Sequence, residues 1–132
     1  MTKKLFLFIL FSIFTTAYPL KVNTAKTSQI IDTWIWQKTI GGENNPYIAT
    51  PKTIGFNKKI VFTREGKIIT YKDDVEIRNS TYEIKKGISV LDQSEKDLIS
   101  FEGKTYIIEI LDNQNLTIIS NDSEGTRTIY KK

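Results

Sequence analysis

The chain has 132 residues, with 19 Lys and Arg against 15 Asp and Glu, and it contains no histidine and no cysteine. These two absences exclude a disulfide framework, thiol nucleophiles, His-based catalytic triads and the usual zinc, copper and haem ligands. The slight basic excess falls short of the basic stripe that nucleic-acid binding requires. We therefore expect a protein without enzymatic activity, metal, cofactor or nucleic-acid partner.

Residues 1–17 have the three regions of a secretory signal peptide. Lys3 and Lys4 give the positive start, "LFLFILFSIF" is the apolar core, and "TTA" supplies small residues before the cleavage position. An apolar run of about ten residues is too short for a membrane span, which needs about twenty. We predict an exported protein, secreted or periplasmic, with no membrane span after cleavage and no cysteine for a lipid anchor.

Residues 18–29 are predicted to be a flexible polar lead-in, and residues 30–132 a single domain. After residue 17 the chain holds 19 Ile and 13 Thr against 5 Leu and 2 Ala. Branching at Cβ favours strands over helices, and no segment has a long apolar stripe of helical period. The domain is therefore predicted to be all-β.

Turn signals divide this domain into short strands. Gly66 in "REGK" and Gly103 in "FEGK" fit tight hairpins, and Asp73-Asp74 and Asp112-Asn113 mark two more reversals. The predicted strands are 33–40, 57–64, 67–72, 75–86 (kinked around Asn79), 88–91, 97–102, 104–111, 115–120 and 126–131. Because the connections are mostly of two to five residues, we predict an antiparallel up-and-down β-barrel of about eight strands.

Alternation along the strands predicts which side chains face inward. Ile60 and Phe62 share one face of their strand, and Tyr106, Ile108 and Ile110 share one face of another. One face of each strand is apolar and the other is mixed, as an enclosed interior requires.

One connection is long. Residues 41–55, "GGENNPYIATPKTIG", carry two prolines and no periodic pattern of their own. Long connections of this kind are usually functional or mobile. Tyr47 and Ile48, next to the first proline, are candidates for contact with another protein.

Several short motifs together resemble a known group of proteins. The segments "DTWIWQKTIGG", "ATPKTIGF", "FTREGK" followed by "ITYKDD", "STYEI", and the ending "NQNLTIIS" with "EGTRTIYKK" resemble the small exported lipocalin-like (calycin-type) proteins of the Bacteroidota. The resemblance covers about residues 30–132. One departure is Asp32, which stands where those proteins usually have glycine.

The resemblance implies roles for the aromatic residues. In lipocalin-like barrels the first tryptophan closes the base, and a cation from the last strand lies across its ring; Trp34 and Arg127 take these positions, with Lys131 behind. Six aromatic residues on different strands could line a ligand cavity if they face inward: Trp36, Phe62, Tyr71, Tyr82, Phe101 and Tyr106.

Two functions remain open at this point. A barrel of eight strands either is filled by its own side chains or holds one small ligand. The first hypothesis is a monomeric, non-catalytic protein that binds a small apolar or amphipathic molecule in the barrel interior. The alternative is an extracytoplasmic protein-interaction module with a filled barrel, which recognises its partner through the 41–55 loop.

Overall fold

The computed structural model describes residues 24–132, and the predicted signal peptide at 1–17 lies outside them. The described part contains two short helices and nine strands. In chain order these are α1 (Thr24–Ile30), β1 (Thr33–Ile40), β2 (Ile48–Ala49), α2 (Pro51–Ile54), β3 (Lys58–Phe62), β4 (Lys67–Lys72), β5 (Val75–Ile88), β6 (Glu95–Phe101), β7 (Lys104–Leu111), β8 (Asn115–Ser120) and β9 (Arg127–Lys131).

Eight of these strands form a closed antiparallel barrel, which confirms the predicted fold class. From β3 to β9 each strand pairs with the next, and β1 closes the circle by pairing with both β3 and β9. The two-residue β2 is an addition beside the far end of β1, where Thr39 is opposite Ala49. The two glycines predicted to lie in tight hairpins have the positive φ that such turns require, 82° at Gly66 and 78° at Gly103.

The structure differs from the predicted strands in three places. Residues 88–91 are not a strand of their own, because β5 continues to Ile88 and the chain then turns. The irregularity in β5 lies opposite Thr70 and Tyr71, so that Ile77 rather than Asn79 is the extra residue. The end of the predicted lead-in is helical, since α1 occupies Thr24–Ile30.

Strand β7 also departs from simple alternation. Its first half faces as predicted, but the register against β8 shifts between Ile108 and Ile110. The extra residue, Glu109, reverses the alternation of the residues after it, because a bulge puts two residues opposite one. Leu111 therefore joins the core, and the prediction that Ile110 faces inward was wrong: it is 44% exposed. Ile60 and Phe62 are both buried, as predicted.

The 41–55 connection is ordered by local contacts. Thr50 caps α2, with its hydroxyl accepting a hydrogen bond from the Thr53 N–H while the Thr53 hydroxyl accepts from the Thr50 N–H. At the start of the connection the backbone of Gly42 passes so close to Glu124 that a Cβ there would lie 1.5 Å from the Glu124 carbonyl oxygen. The second glycine of the "GG" pair is thus needed where the loop crosses the β8–β9 turn.

One end of the barrel is closed around Trp34. Its ring is fully buried, and its Nε1–H donates a 2.8 Å hydrogen bond to the carbonyl of Ile30, the last residue of α1. The ammonium of Lys132 lies 5.2 Å from the centre of the same ring and 3.1 Å from the carboxylate of Asp32.

The prediction that Arg127 lies across Trp34 was wrong. The register of β9 against β1 places Arg127 opposite Ile40, at the far end of β1 from Trp34. There its guanidinium makes a two-pronged pair with Glu109, at 2.8 and 3.0 Å. Lys132, which comes directly after β9, takes the predicted role. Among residues 24–132, neither helix approaches the length and apolar character that a bilayer span requires.

Candidate functional site

The barrel interior contains a cavity of about 130 Å³ at the end away from Trp34. The two turns that flank β7 identify this end of the barrel. The turn after β7 contacts the closed end, since the Lys132 N–H donates to the Gln114 carbonyl. Glu102, in the turn before β7, is at the opposite end and lines the cavity.

The cavity has a buried floor and a solvent-exposed rim. Its floor is buried, with Ile60 and Ile118 each 3% exposed. Its rim is formed by Arg78 and Glu102, both exposed. Because the lining passes from buried to exposed residues, the cavity has a route to solvent. The complete lining is Lys58, Ile60, Thr70, Arg78, Phe101, Glu102, Tyr106, Ile118, Thr128 and Tyr130.

The strand pattern puts polar side chains into this part of the barrel interior. Lys58 is two residues before buried Ile60 on β3, so both point inward. Ile60, Thr70 and Arg78 are register partners on β3, β4 and β5, and directly opposed residues share a face. An inward lysine, threonine and arginine therefore line one wall.

Glu102 is positioned by a tight turn. Glu102 has φ 54° and Gly103 has φ 78°, as in the hairpin turns that match strand twist. From this turn the Glu102 carboxylate reaches Arg78, with Nε to Oε1 at 3.2 Å, and accepts a 3.5 Å hydrogen bond from the Ser80 hydroxyl. This ion pair connects the two side chains of the rim, and the positive charge of Arg78 is balanced by the negative charge of Glu102.

Lys58 carries the remaining charge of the cavity. Its ammonium lies 5.4 Å from the centre of the Trp36 ring, and within residues 24–132 no carboxylate is within ion-pair distance of it. Burial lowers the pKa of Lys58, the charge of Arg78 lowers it further, and Glu102 acts in the opposite direction. The fold therefore holds a partly desolvated ammonium whose compensation is an aromatic ring rather than an anion.

Four hydroxyls face the same space. Those of Thr70, Thr128, Tyr106 and Tyr130 take part in none of the side-chain hydrogen bonds of the described residues. Burial raises the pKa of both tyrosines, so that their phenols stay protonated and able to donate. A buried polar group normally has a partner, so these hydroxyls are suited to a polar occupant.

The predicted ligand-binding residues are divided among three environments. Phe101 and Tyr106 line the cavity as a stacked pair, with ring centres 4.8 Å apart. Trp36 and Phe62 are buried in the core, and the Trp36 Nε1–H donates to the Thr39 hydroxyl at 2.9 Å. Tyr82 packs edge-on against Phe62, with centres 4.9 Å apart.

Tyr71 does not face inward, so it does not meet the condition set for a ligand-binding residue. It comes directly after buried Thr70 and lies on the outer face of β4, under the ammonium of Lys59 at 5.2 Å. There it lines a surface cleft of about 240 Å³ with Ile35 and Asp74. Its position is the one that alternation requires, since Thr70 and Tyr71 must point to opposite faces.

Sequence reasoning had missed most of the polar lining. Inward side chains recur at every second position of a strand, so strict alternation could have assigned four of these residues. They are Lys58, Thr70, Thr128 and Tyr130, each two positions from another residue on the same face. Arg78 and Glu102 required the register of β5 and the turn geometry. The complete set of missed residues is Lys58, Thr70, Arg78, Glu102, Thr128 and Tyr130.

Comparison with known proteins gives no assignment. No protein-family model matches the chain. No curated protein and no solved structure matches it significantly either. The eight-stranded antiparallel barrel is compatible with a lipocalin-like fold. Within residues 24–132 there is no group of three or more carboxylates placed to hold a metal ion.

The 41–55 connection borders a second feature on the surface. A groove of about 540 Å³ runs between Gly41-Gly42, Leu91 and the β8–β9 turn. Near it Tyr47 is 44% exposed and Ile48 63% exposed. These two side chains, the candidates for contact with another protein, are therefore accessible from solvent.

Proposed function

We propose that this chain is an exported lipocalin-like protein that binds one small amphipathic molecule in its barrel, without a catalytic step. The observation that carries the proposal is the cavity itself, with a floor of Ile60 and Ile118 and unpartnered hydroxyls on its walls. An apolar cavity of about 150 Å³ in another protein admits benzene. A volume of about 130 Å³ therefore fits a ligand of about one ring.

The chemistry of the lining supports binding rather than catalysis. Its one carboxylate, Glu102, is already paired with Arg78. General acid–base catalysis needs a positioned group with a pKa near the working pH. The chain has no histidine or cysteine. Burial does lower the pKa of Lys58, but among residues 24–132 no carboxylate lies within ion-pair distance of its ammonium to act as its acid–base partner.

The test is a titration of the mature protein with benzyl alcohol, followed by NMR amide shifts. We expect saturable binding, with the largest shifts at Thr70, Ile118 and Tyr130. Thr128→Phe should abolish it by filling the cavity. Ile129→Phe is the matched control, because Ile129 is the next residue on β9 and is not part of the lining. Shifts scattered over the outer surface, equal in both variants, would refute an interior site.

A second candidate function is supported by the surface of the 41–55 connection. Tyr47, Ile48 and Ile54 are 44%, 63% and 41% exposed, and isolated exposed apolar residues are common but a group on one ordered loop is less so. If the interior takes no small molecule, this loop becomes the better candidate for recognition of a protein. A Tyr47→Ser/Ile48→Ser double variant would then lose the partner while the barrel stays folded.

A further inference from the structure

Lys58 is a cation without an anion. It shares the inward face of β3 with Ile60 and Phe62, and its ammonium rests beside the Trp36 ring. A charge removed from water is unfavourable unless it is paired and hydrogen-bonded. The neighbouring Lys59, on the outer face, has a carboxylate at 3.2 Å, that of Asp74. Lys58 has no such partner within the described residues, although it is the lysine on the inward face.

The other charges of the cavity do not supply the missing anion. Glu102 pairs with Arg78 at 3.2 Å, and the Arg78 side chain is 50% exposed. Counting these three groups, the lining has a net charge of +1, carried by Lys58 at the open end of β3. An ion pair this exposed stabilises the protein only weakly, so Arg78 can also turn toward an incoming anion.

The hydroxyls near Lys58 favour the same kind of occupant. The phenols of Tyr106 and Tyr130 and the hydroxyls of Thr70 and Thr128 are donors without protein acceptors. A carboxylate has two oxygens that accept about four hydrogen bonds. Hydrogen bonds between neutral donors and a carboxylate are stronger than those between neutral groups.

We infer that the barrel cavity selects a small monoanion, a carboxylate attached to a single ring or a short apolar chain, with Lys58 as its anchoring residue. This inference rests on the proposed function and specifies its ligand class. The carboxylate would lie against Lys58 and the hydroxyls. The apolar part would lie along Ile60, Ile118 and the stacked pair of Phe101 and Tyr106.

The experiment compares three probes of one size and different charge on the full mature protein by titration calorimetry. Benzoate, benzyl alcohol and benzylammonium should bind in that order of decreasing affinity. Benzoate should bind about tenfold or more tightly than benzyl alcohol, as expected for a charged hydrogen bond in a desolvated site. This ranking needs no variant, so it does not depend on how a substitution folds.

Variants then locate the charge that selects the anion. Lys58→Met should weaken benzoate about tenfold and affect benzyl alcohol much less than benzoate, and Lys58→Arg should restore part of the loss. Lys59→Met, which removes the neighbouring outward lysine, should bind all three probes as the unmodified protein does.

Each failure points to a different conclusion. If benzyl alcohol binds as tightly as benzoate, or if Lys58→Met leaves benzoate binding intact, the anion selectivity is refuted and the small-molecule function stands. If none of the three probes binds, the interior binding function is refuted, and the inference with it.

Discussion

The two ends of the barrel treat a lysine beside a tryptophan in opposite ways. At the closed end Lys132 lies over fully buried Trp34 and has the carboxylate of Asp32 at 3.1 Å. At the open end Lys58 lies beside Trp36, with no carboxylate in ion-pair range among the described residues. The lysine at the closed end therefore has both a ring and an anion as partners, whereas the lysine at the open end has only the ring among the described residues.

This contrast separates stability from binding. A complete set of contacts needs no ligand, and the closed end also gains the hydrogen bond from Trp34 to Ile30. An ammonium without an anion, facing a cavity with unpartnered hydroxyls, is a less stable arrangement that binding can improve. Substitutions at the closed end should therefore change the free energy of unfolding, and those at the open end should change mainly ligand affinity.

The largest effect is expected at Trp34. Trp34→Ala should lower the free energy of unfolding by about 3–5 kcal/mol, because it leaves a large hole in a fully buried site. Urea denaturation monitored by circular dichroism measures this loss. Trp34→Phe is the control, since it keeps a ring while losing the hydrogen bond to Ile30. A loss below about 1 kcal/mol in Trp34→Ala would contradict a structural role for the closed end.

Lys58→Met should behave in the opposite way. It removes a desolvated charge without an ion-pair partner, so the free energy of unfolding should stay the same or rise by up to about 1 kcal/mol. The same urea denaturation, without ligand, gives the measurement, with Lys59→Met as the control on the outer face. A clear loss of stability would mean that the contact with Trp36 matters more to the fold than the burial of the ammonium does.

The sequence predicts the features of each end that depend on local patterns, and it misses those that depend on strand register. The β1 strand and the role of Trp34 come from a local pattern, "DTWIWQK", together with the resemblance. The partner of Trp34 depends on the register of β9, which local patterns do not determine, and so Lys132 was missed in favour of Arg127. The predicted cation, Arg127, and the observed one, Lys132, are five positions apart in the sequence.

The open end was harder to predict because its polar residues belong to different strands. Six aromatic residues were candidates for the lining, and two of them, Phe101 and Tyr106, do line the cavity. Lys58 and Thr70 resemble ordinary surface residues until alternation is applied strictly. Glu102 was assigned to the end of the predicted strand 97–102, and its meeting with Arg78 depends on long-range pairing between β5 and β6.

A smaller effect is expected from the cation at the closed end. Lys132→Met should lower the free energy of unfolding by about 0.5–1 kcal/mol, the range for a cation near an aromatic face at a partly exposed site. Lys131→Met is the matched control, because it removes the neighbouring, exposed lysine at the end of β9. Thermal melts of the two variants give the comparison: a loss in Lys131→Met as large as that in Lys132→Met would refute the contribution of the cation over Trp34.

The smallest effect concerns the acid dependence of the closed end. The Thr33 N–H, which donates to Asp32 at 2.7 Å, and then Lys132 lower the pKa of the Asp32 carboxyl. Because the pKa is lower in the folded state, the ionised carboxylate adds stability above its ordinary pKa, and this contribution is lost as the pH falls through the folded pKa. Asp32→Asn should therefore melt slightly below the unmodified protein at neutral pH, and the difference should close in acid.

A double variant separates the two causes of this shift. In the Lys132→Met background, Asp32→Asn should still lower the melting temperature at neutral pH, by less than in the unmodified protein, because the hydrogen bond from Thr33 is the larger cause and remains. If the effect of Asp32→Asn disappears entirely in that background, the ion pair with Lys132 accounts for all of it. If the effect is undiminished, Asp32 acts through its hydrogen bond with the backbone alone, and its ion pair with Lys132 would contribute nothing to the closed end.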